Sequence, residues 1–152
     1  MKEFNSLEDI LDFAINEEQM AADFYTALAA KMDHQEMKDT FEQYALEEIG
    51  HRAKLESIKN GKEYKVSEEK VADLKIGDYL VDVDTEKTNI TYQEALTIAM
   101  KKEKAAFKLY NDLAAAASDE VSRDMFLMLA QEEAKHKLRF EVEYDNNILT
   151  EN

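Results

Sequence analysis

Glu48-x-x-His51 recurs as Glu133-x-x-His136, and each copy is preceded by a Glu that stands seven residues before a Tyr: Glu18 with Tyr25, and Glu103 with Tyr110. One offset, 85 residues, relates all of these positions without a gap. A Glu and a His three residues apart share one helix face, one turn from each other. Carboxylate and imidazole together are donors for divalent metal ions. Four Glu and two His are the donor set of a dinuclear centre in which two helices give one Glu each and two others give Glu-x-x-His.

For those donors to meet, four helices must carry them. The first starts at Ser6, an N-cap with Asp9 three residues on, and runs to about Met32. Its stripe reads Leu7, Leu11, Ala14, Glu18, Ala21, Tyr25, Leu28, Met32, in steps of three and four. After a turn near Asp33–His34 the second helix carries Met37, Phe41, Tyr44, Glu48, His51, Leu55 and Ile58, and stops at Asn60-Gly61, a glycine-type helix end. The third begins with Thr91 as N-cap and Glu94 as its box partner, with the stripe Tyr92, Leu96, Ala99, Glu103, Ala106, Tyr110, Leu113, Ala117. The fourth follows the Ser118-Asp119 turn with Ser122, Phe126, Leu129, Glu133, His136 and Phe140; it frays after Tyr144, and residues 145–152 show no pattern. Residues 61–90 hold no long helical period, although Ser67–Lys75 suits a short helix ahead of the apolar Tyr79-Leu80-Val81.

The pattern predicts a single all-α domain over residues 1–152: a four-helix bundle built from two repeated αα-hairpins, about 6–60 and 91–147, joined by a crossover over 61–90. Between residues 6–56 and 91–141, 15 of 51 positions are identical, which duplication of a hairpin explains. Short turns make each hairpin antiparallel. The crossover is long enough to return along the second helix, at roughly 3.3 Å per extended residue, so the third helix lies parallel to the second. The topology is then up-down-down-up. Counted from His34, Glu18 and Glu48 differ in depth by two residues, about 3 Å. Glu103 and Glu133 are equidistant from Ser118. All four carboxylates therefore fall near one level, halfway along the bundle.

That placement has a cost. An isolated buried carboxylate costs several kcal/mol, and four together would protonate or open the bundle. Two divalent cations remove the conflict; Lys102, Lys104, Lys135 and Lys137 flank the motifs but point off the stripes. Tyr25 and Tyr110 are explained equally by core packing or by hydrogen bonds that orient metal carboxylates. Glu17, Glu47 and Glu132 fall off the stripes and are expected on a solvated surface. His34 is expected to be exposed, and Met20, Met37, Met100, Met125 and Met128 to fill the core. Gly50 weakens its helix by about 1 kcal/mol against Ala; one reading is that it admits a close neighbour.

Composition narrows the function. There is no Pro and little Gly, which favours long helices, and no Cys, which excludes disulfides, thiolate-bound iron–sulfur clusters and zinc ribbons and fits a reducing cytoplasm. A net charge of −15 argues against nucleic acid or an anionic membrane as partner. No segment is apolar enough to span a bilayer, and the first ten residues lack the features of a signal peptide.

On these motifs the chain resembles the ferritin-like superfamily, and within it the rubrerythrin-type domain. The resemblance covers the four helices and implies Glu18, Glu48, His51, Glu103, Glu133 and His136 as metal ligands, with Glu48 and Glu133 bridging two iron ions. Manganese, or a mixed pair, suits the same donors. It further implies an oxidoreductase that reduces hydrogen peroxide or dioxygen, an external electron donor, and a homodimer, for which the 61–90 segment offers Leu74, Ile76, Tyr79 and Leu80. Two departures stand out. Rubrerythrins proper are similar to this core plus a Cys-rich rubredoxin domain, and they carry an additional Glu on the third helix; here the neighbours of Glu103 are Ala99, Met100, Ala106 and Phe107. The remaining six-donor set is similar to a bacterioferritin ferroxidase centre. The alternatives are a non-catalytic iron-binding or storage protein and a structural metal site.

Overall fold

The computed structural model describes residues 6–61, 66–81 and 90–151. The first hairpin is α1 (Leu7–Ala30) and α2 (Gln35–Asn60). The crossover holds a short α3 (Glu68–Ala72) and a 3-10 turn, Ile76–Tyr79; its residues 62–65 and 82–89 lie outside the described residues. The second hairpin is α4 (Tyr92–Ala116) and α5 (Glu120–Glu151). Among the described residues every regular element is helical, with one isolated antiparallel bridge between Val66 and Ala117.

The helix starts follow their side chains. The Ser6 hydroxyl accepts from the Asp9 N–H at 3.1 Å, which satisfies one of the unpaired donors at the head of α1. Thr91 and Glu94 complete a reciprocal capping box at 3.1 and 3.2 Å. The ends are less obedient. α1 stops at Ala30, where the Lys31 and Met32 amides tighten onto Leu28 and Ala29. Gly61 closes α2 with φ −97°, so it is not there for a left-handed turn; a Cβ would stand 2.9 Å from the Ser57 carbonyl oxygen, and close approach is what it supplies. Gly50 has open space where its Cβ would be, so the close-neighbour reading fails. α5 continues to Glu151 rather than fraying after Tyr144 or ending near 147. An apolar stripe reports burial, not helicity, and neither Pro nor Gly interrupts the polar continuation.

Two apolar clusters occupy opposite ends of the bundle. One gathers Ile10 and Leu11 from the start of α1, Leu55 and Ile58 from the end of α2, Leu109 and Leu113 from the end of α4, and Phe126 and Leu129 from the start of α5. The other joins Tyr25 and Leu28, Met37 and Phe41, Ala95 and Leu96, and Phe140 from the opposite ends. Hence α1 and α5 run one way and α2 and α4 the other, the expected up-down-down-up order. The crossover is spent within the chain: Val71 and Tyr79 are buried, and Leu74 and Ile76 pack on the first cluster, leaving Leu80 exposed. Of the methionines, Met37 is buried and Met100 and Met125 pack on the clusters, whereas Met20 and Met128 are exposed, as is His34.

Two substitutions of opposite sign check this packing by urea denaturation of the metal-stripped protein. Gly50→Ala, with no neighbour to clash, should raise stability by about 0.5–1 kcal/mol. Phe140→Ala removes a fully buried ring packed against Tyr25, Phe41 and Tyr44, and should cost about 3–5 kcal/mol.

Candidate metal centre

Between the two apolar clusters lies a polar layer. Glu18 and Glu103 come from the middles of α1 and α4; Glu48 and His51 come from α2, and Glu133 and His136 from α5. All six are at most 3% exposed. They form two groups, Glu18–Glu48–His51–Glu133 and Glu48–Glu103–Glu133–His136, each with donor atoms within 4.8 Å of one another. Glu48 and Glu133 belong to both groups. The sequence-predicted set is thus brought together entire, with the two glutamates of the Glu-x-x-His motifs at its centre.

Both histidines turn Nδ1 inward. His51 Nδ1 stands 2.6 Å from Glu133 Oε1, 3.6 Å from Glu18 Oε2 and 3.7 Å from Glu48 Oε1. His136 Nδ1 stands 3.0 Å from Glu48 Oε1 and 3.4 Å from Glu103 Oε1. Their outer nitrogens meet carboxylates of the opposite hairpin: His51 Nε2 contacts Glu132, and His136 Nε2 lies 3.6 Å from Glu47 Oε2. The Glu132 carboxylate at His51 Nε2 holds the proton there and leaves that ring's Nδ1 with its lone pair facing the centre. The expected solvated-surface role fails for Glu132, which is about one-third exposed, at 34%, and bonds the His51 ring; Glu47, at 36%, lies beside His136 Nε2 without a hydrogen bond to it. The signal was present in the sequence, since these two are identical at the offset that relates the ligands.

The tyrosines also cross between hairpins. Tyr25 Oη donates to Glu103 Oε1, and Tyr110 Oη donates to Glu18 Oε1. Such an exchange requires α1 and α4 to be antiparallel, so that each Tyr, two turns beyond its own Glu, comes level with the other's. Core packing alone does not describe these rings. Burial, followed by the neighbouring carboxylate charges, pushes both phenols well above their ordinary range, so they stay protonated donors.

The electrostatics expose the conflict. Burial, then the charge of Glu103, raises the Glu48 and Glu133 carboxyls well above their usual range. Burial pushes Glu18 upward too, but the nearby His51 ring and other polar neighbours outweigh it and hold the group low. For His51, burial favours the neutral ring, yet the Glu18 and Glu132 carboxylates prevail and raise it. Even so, Glu18 Oε2, Glu48 Oε1, Glu103 Oε2, Glu133 Oε1 and both inward Nδ1 atoms are buried without a hydrogen-bond partner. Folded proteins leave few such atoms. Here each of the six residues carries one that belongs to the common centre, and His136 Nε2 on the outer side is unpartnered as well. In Glu18 and Glu103 the bare oxygen is the one that the tyrosine does not use. Four carboxylates and two neutral imidazoles fit two divalent cations in charge, donor type and number.

The Rubrerythrin family model matches residues 9–144. The chain belongs to the rubrerythrin family. The match spans both hairpins and the crossover. Among solved structures, a protein from Thermotoga maritima assigned as a ferritin-like diiron-carboxylate protein superposes with a TM-score of 0.80 at 22% identity, covering 97% of this chain and 99% of that one. A hypothetical protein from Pyrococcus furiosus follows with a TM-score of 0.67 at 27% identity, covering 92% and 89%. No curated protein matches the sequence. Family and geometry together suggest a dinuclear metal site in a ferritin-like bundle. Among the described residues, no helix is long and apolar enough to cross a membrane.

Raised carboxyls and a raised imidazole make a signed prediction for the metal-stripped protein. Glu48 and Glu133 bind protons in the fold at pH values where the unfolded chain has released them, and so does His51. Their contribution is complete below the ordinary values of 4.5 and 6.5 and is lost as pH rises through the folded values. Metal-stripped protein should therefore melt at progressively lower temperature from about pH 5 to pH 8, and divalent metal should flatten the trend. A melting temperature that rises across this range without metal would contradict the assignment.

Proposed function

We propose that Glu18, Glu48, His51, Glu103, Glu133 and His136 hold a pair of iron ions, with Glu48 and Glu133 shared between them, and that the protein is a peroxide- or dioxygen-reducing oxidoreductase. The observation that carries this reading is the pair of donor groups with two carboxylates in common, each closed by one inward Nδ1. Manganese suits the same donors, alone or mixed with iron. Bound there, a ferrous pair supplies the two electrons that, with two protons, cleave the O–O bond of hydrogen peroxide to give two waters.

The chain's own residues prepare the site for that chemistry. Tyr25 and Tyr110 each hold one oxygen of a terminal carboxylate and leave the other free. Glu132 fixes the His51 ring from outside, and the Tyr44 ring stacks on that of His136. Burial keeps bulk water from the donors, which strengthens every electrostatic interaction among them. With no Cys in the chain, the two electrons return from a separate donor, which fits a reducing cytoplasm. The family resemblance also favours a homodimer.

Elemental analysis of protein purified without added metal, followed by peroxide titration of the ferrous form, tests this. Two iron ions per chain and one peroxide consumed per two Fe(II) are expected. Glu133→Ala, which removes a donor from both groups, should hold fewer than two ions and lower peroxide consumption at least about tenfold. Iron uptake far beyond two per chain would point to storage instead. Two tightly held ions without peroxide or dioxygen consumption would leave only a structural centre.

A further inference from the structure

The centre is closed on one side and open on the other. Toward α2 and α5 it is backed by the two imidazoles, with Glu47 and Glu132 behind them and the Tyr44 ring stacked on His136 at 3.9 Å. Toward α1 and α4 a cavity of about 30 Å³ reaches Glu18, Glu48, Glu103 and Glu133 but touches neither histidine. That volume suits a guest the size of a water molecule.

The cavity is built by residues that the repeat relates to each other. Ala21 and Ala106, each one turn beyond its Glu ligand, occupy equivalent positions and line the passage. Half-buried Glu17 and Lys102 also line it, and they too are equivalent positions, here of opposite charge. Lys102 is steadied over the Phe24 ring at 5.5 Å. Tyr79 of the crossover walls the cavity. It is fixed by a 2.7 Å hydrogen bond to Asp112 and by the Lys108 ammonium 5.0 Å from its ring.

We propose that this opening between α1 and α4 is the entrance to the centre for both metal ion and oxidant, that Ala21 and Ala106 set its width, and that it admits hydrogen peroxide or dioxygen but not bulkier alkyl hydroperoxides. The inference rests on the dinuclear reading given above. It follows from where the unpartnered donors can be reached: an incoming ion must meet carboxylate oxygens as it sheds water, and one turn beyond Glu18 and Glu103 the lining carries only the methyl groups of Ala21 and Ala106, where a longer residue would fill the gap. Glu17 offers the ion a carboxylate at the mouth, and Lys102 beside it keeps the pair near neutral for an uncharged oxidant.

The test uses Ala106→Leu in the full chain, with Ala53→Leu on the exposed face of α2 as the control. Entry of Co(II) into metal-stripped protein is followed by stopped-flow visible absorbance, and the end point by equilibrium titration. Ala106→Leu should slow entry at least about tenfold while still binding two Co(II) per chain, and Ala53→Leu should match the wild type. Peroxide oxidation of the ferrous form should slow in parallel. A second variant, Lys102→Ala, opens the mouth and should raise the rate with tert-butyl hydroperoxide relative to hydrogen peroxide by about fivefold or more. Wild-type entry rates in Ala106→Leu, or unchanged oxidant preference in Lys102→Ala, overturn the entrance. If circular dichroism shows Ala106→Leu unfolded, the Lys102→Ala result decides. A wild type that binds no Co(II) refutes the dinuclear reading itself, a distinct outcome.

Discussion

Four carboxylates in one buried layer are the constraint around which this bundle is arranged. Ionised and unpaired, they would repel one another in a medium that hydrates none of them. Protonated, they would no longer be donors for a cation. The chain does not resolve this with its own cations: among the residues lining the layer, Lys102 stands at the mouth of the cavity, not among the ligands. It keeps the layer thin. The fully buried aromatic and aliphatic side chains sit in two clusters, one at each end, so the apolar packing lies to either side of the polar middle. Stability and donor geometry are thereby separated along the bundle axis.

The same separation holds across the axis. α1 packs closely on α2 and α4 on α5, while α1 and α4 approach each other much less closely. The hairpins are therefore firm units, and what joins them at mid-height is polar: the exchanged Tyr–Glu hydrogen bonds, the Glu–His contacts across the layer, and the convergent donors. Looseness between hairpins is also what leaves a cavity there, with the crossover's Tyr79 closing one wall of it. A ligand shared by both halves would stiffen the one interface that backbone packing leaves open.

Most of this was legible in the sequence because each feature had a periodic signature. The Glu and His positions replaced apolar residues on helical stripes and did so twice at one offset, which no surface requirement explains. The caps at Ser6 and Thr91 were equally plain. What escaped lay off the stripes or beyond them. Glu47 and Glu132 reach across to the other hairpin's histidines, and a single-helix pattern places such residues on the outside; the repeat, not the period, marked them. The Tyr–Glu exchange depended on which helices run antiparallel, a tertiary fact. The C-terminal turns of α5 carry no apolar stripe in the sequence to mark them. Gly61 looked like a left-handed cap, but a contact with the Ser57 carbonyl oxygen, not φ, determines it.

Two of the differences between the halves fall beside the donors. Tyr44 stacks on His136, while the equivalent residue in the other hairpin is Leu129, which is buried and has no ring to offer. Burial raises the Tyr44 phenol, so the ring against His136 stays neutral. Glu17 and Lys102, equivalent in position, are opposite in charge. A duplicated hairpin with identical surroundings would give two identical half-sites. This chain keeps the six donors and their Tyr and outer Glu neighbours the same and changes Tyr44/Leu129 and Glu17/Lys102 beside them, so its two half-sites share a donor set but not a whole environment. In a dinuclear metal site, such inequivalence is the means by which one position can differ from the other in affinity without altering a single donor.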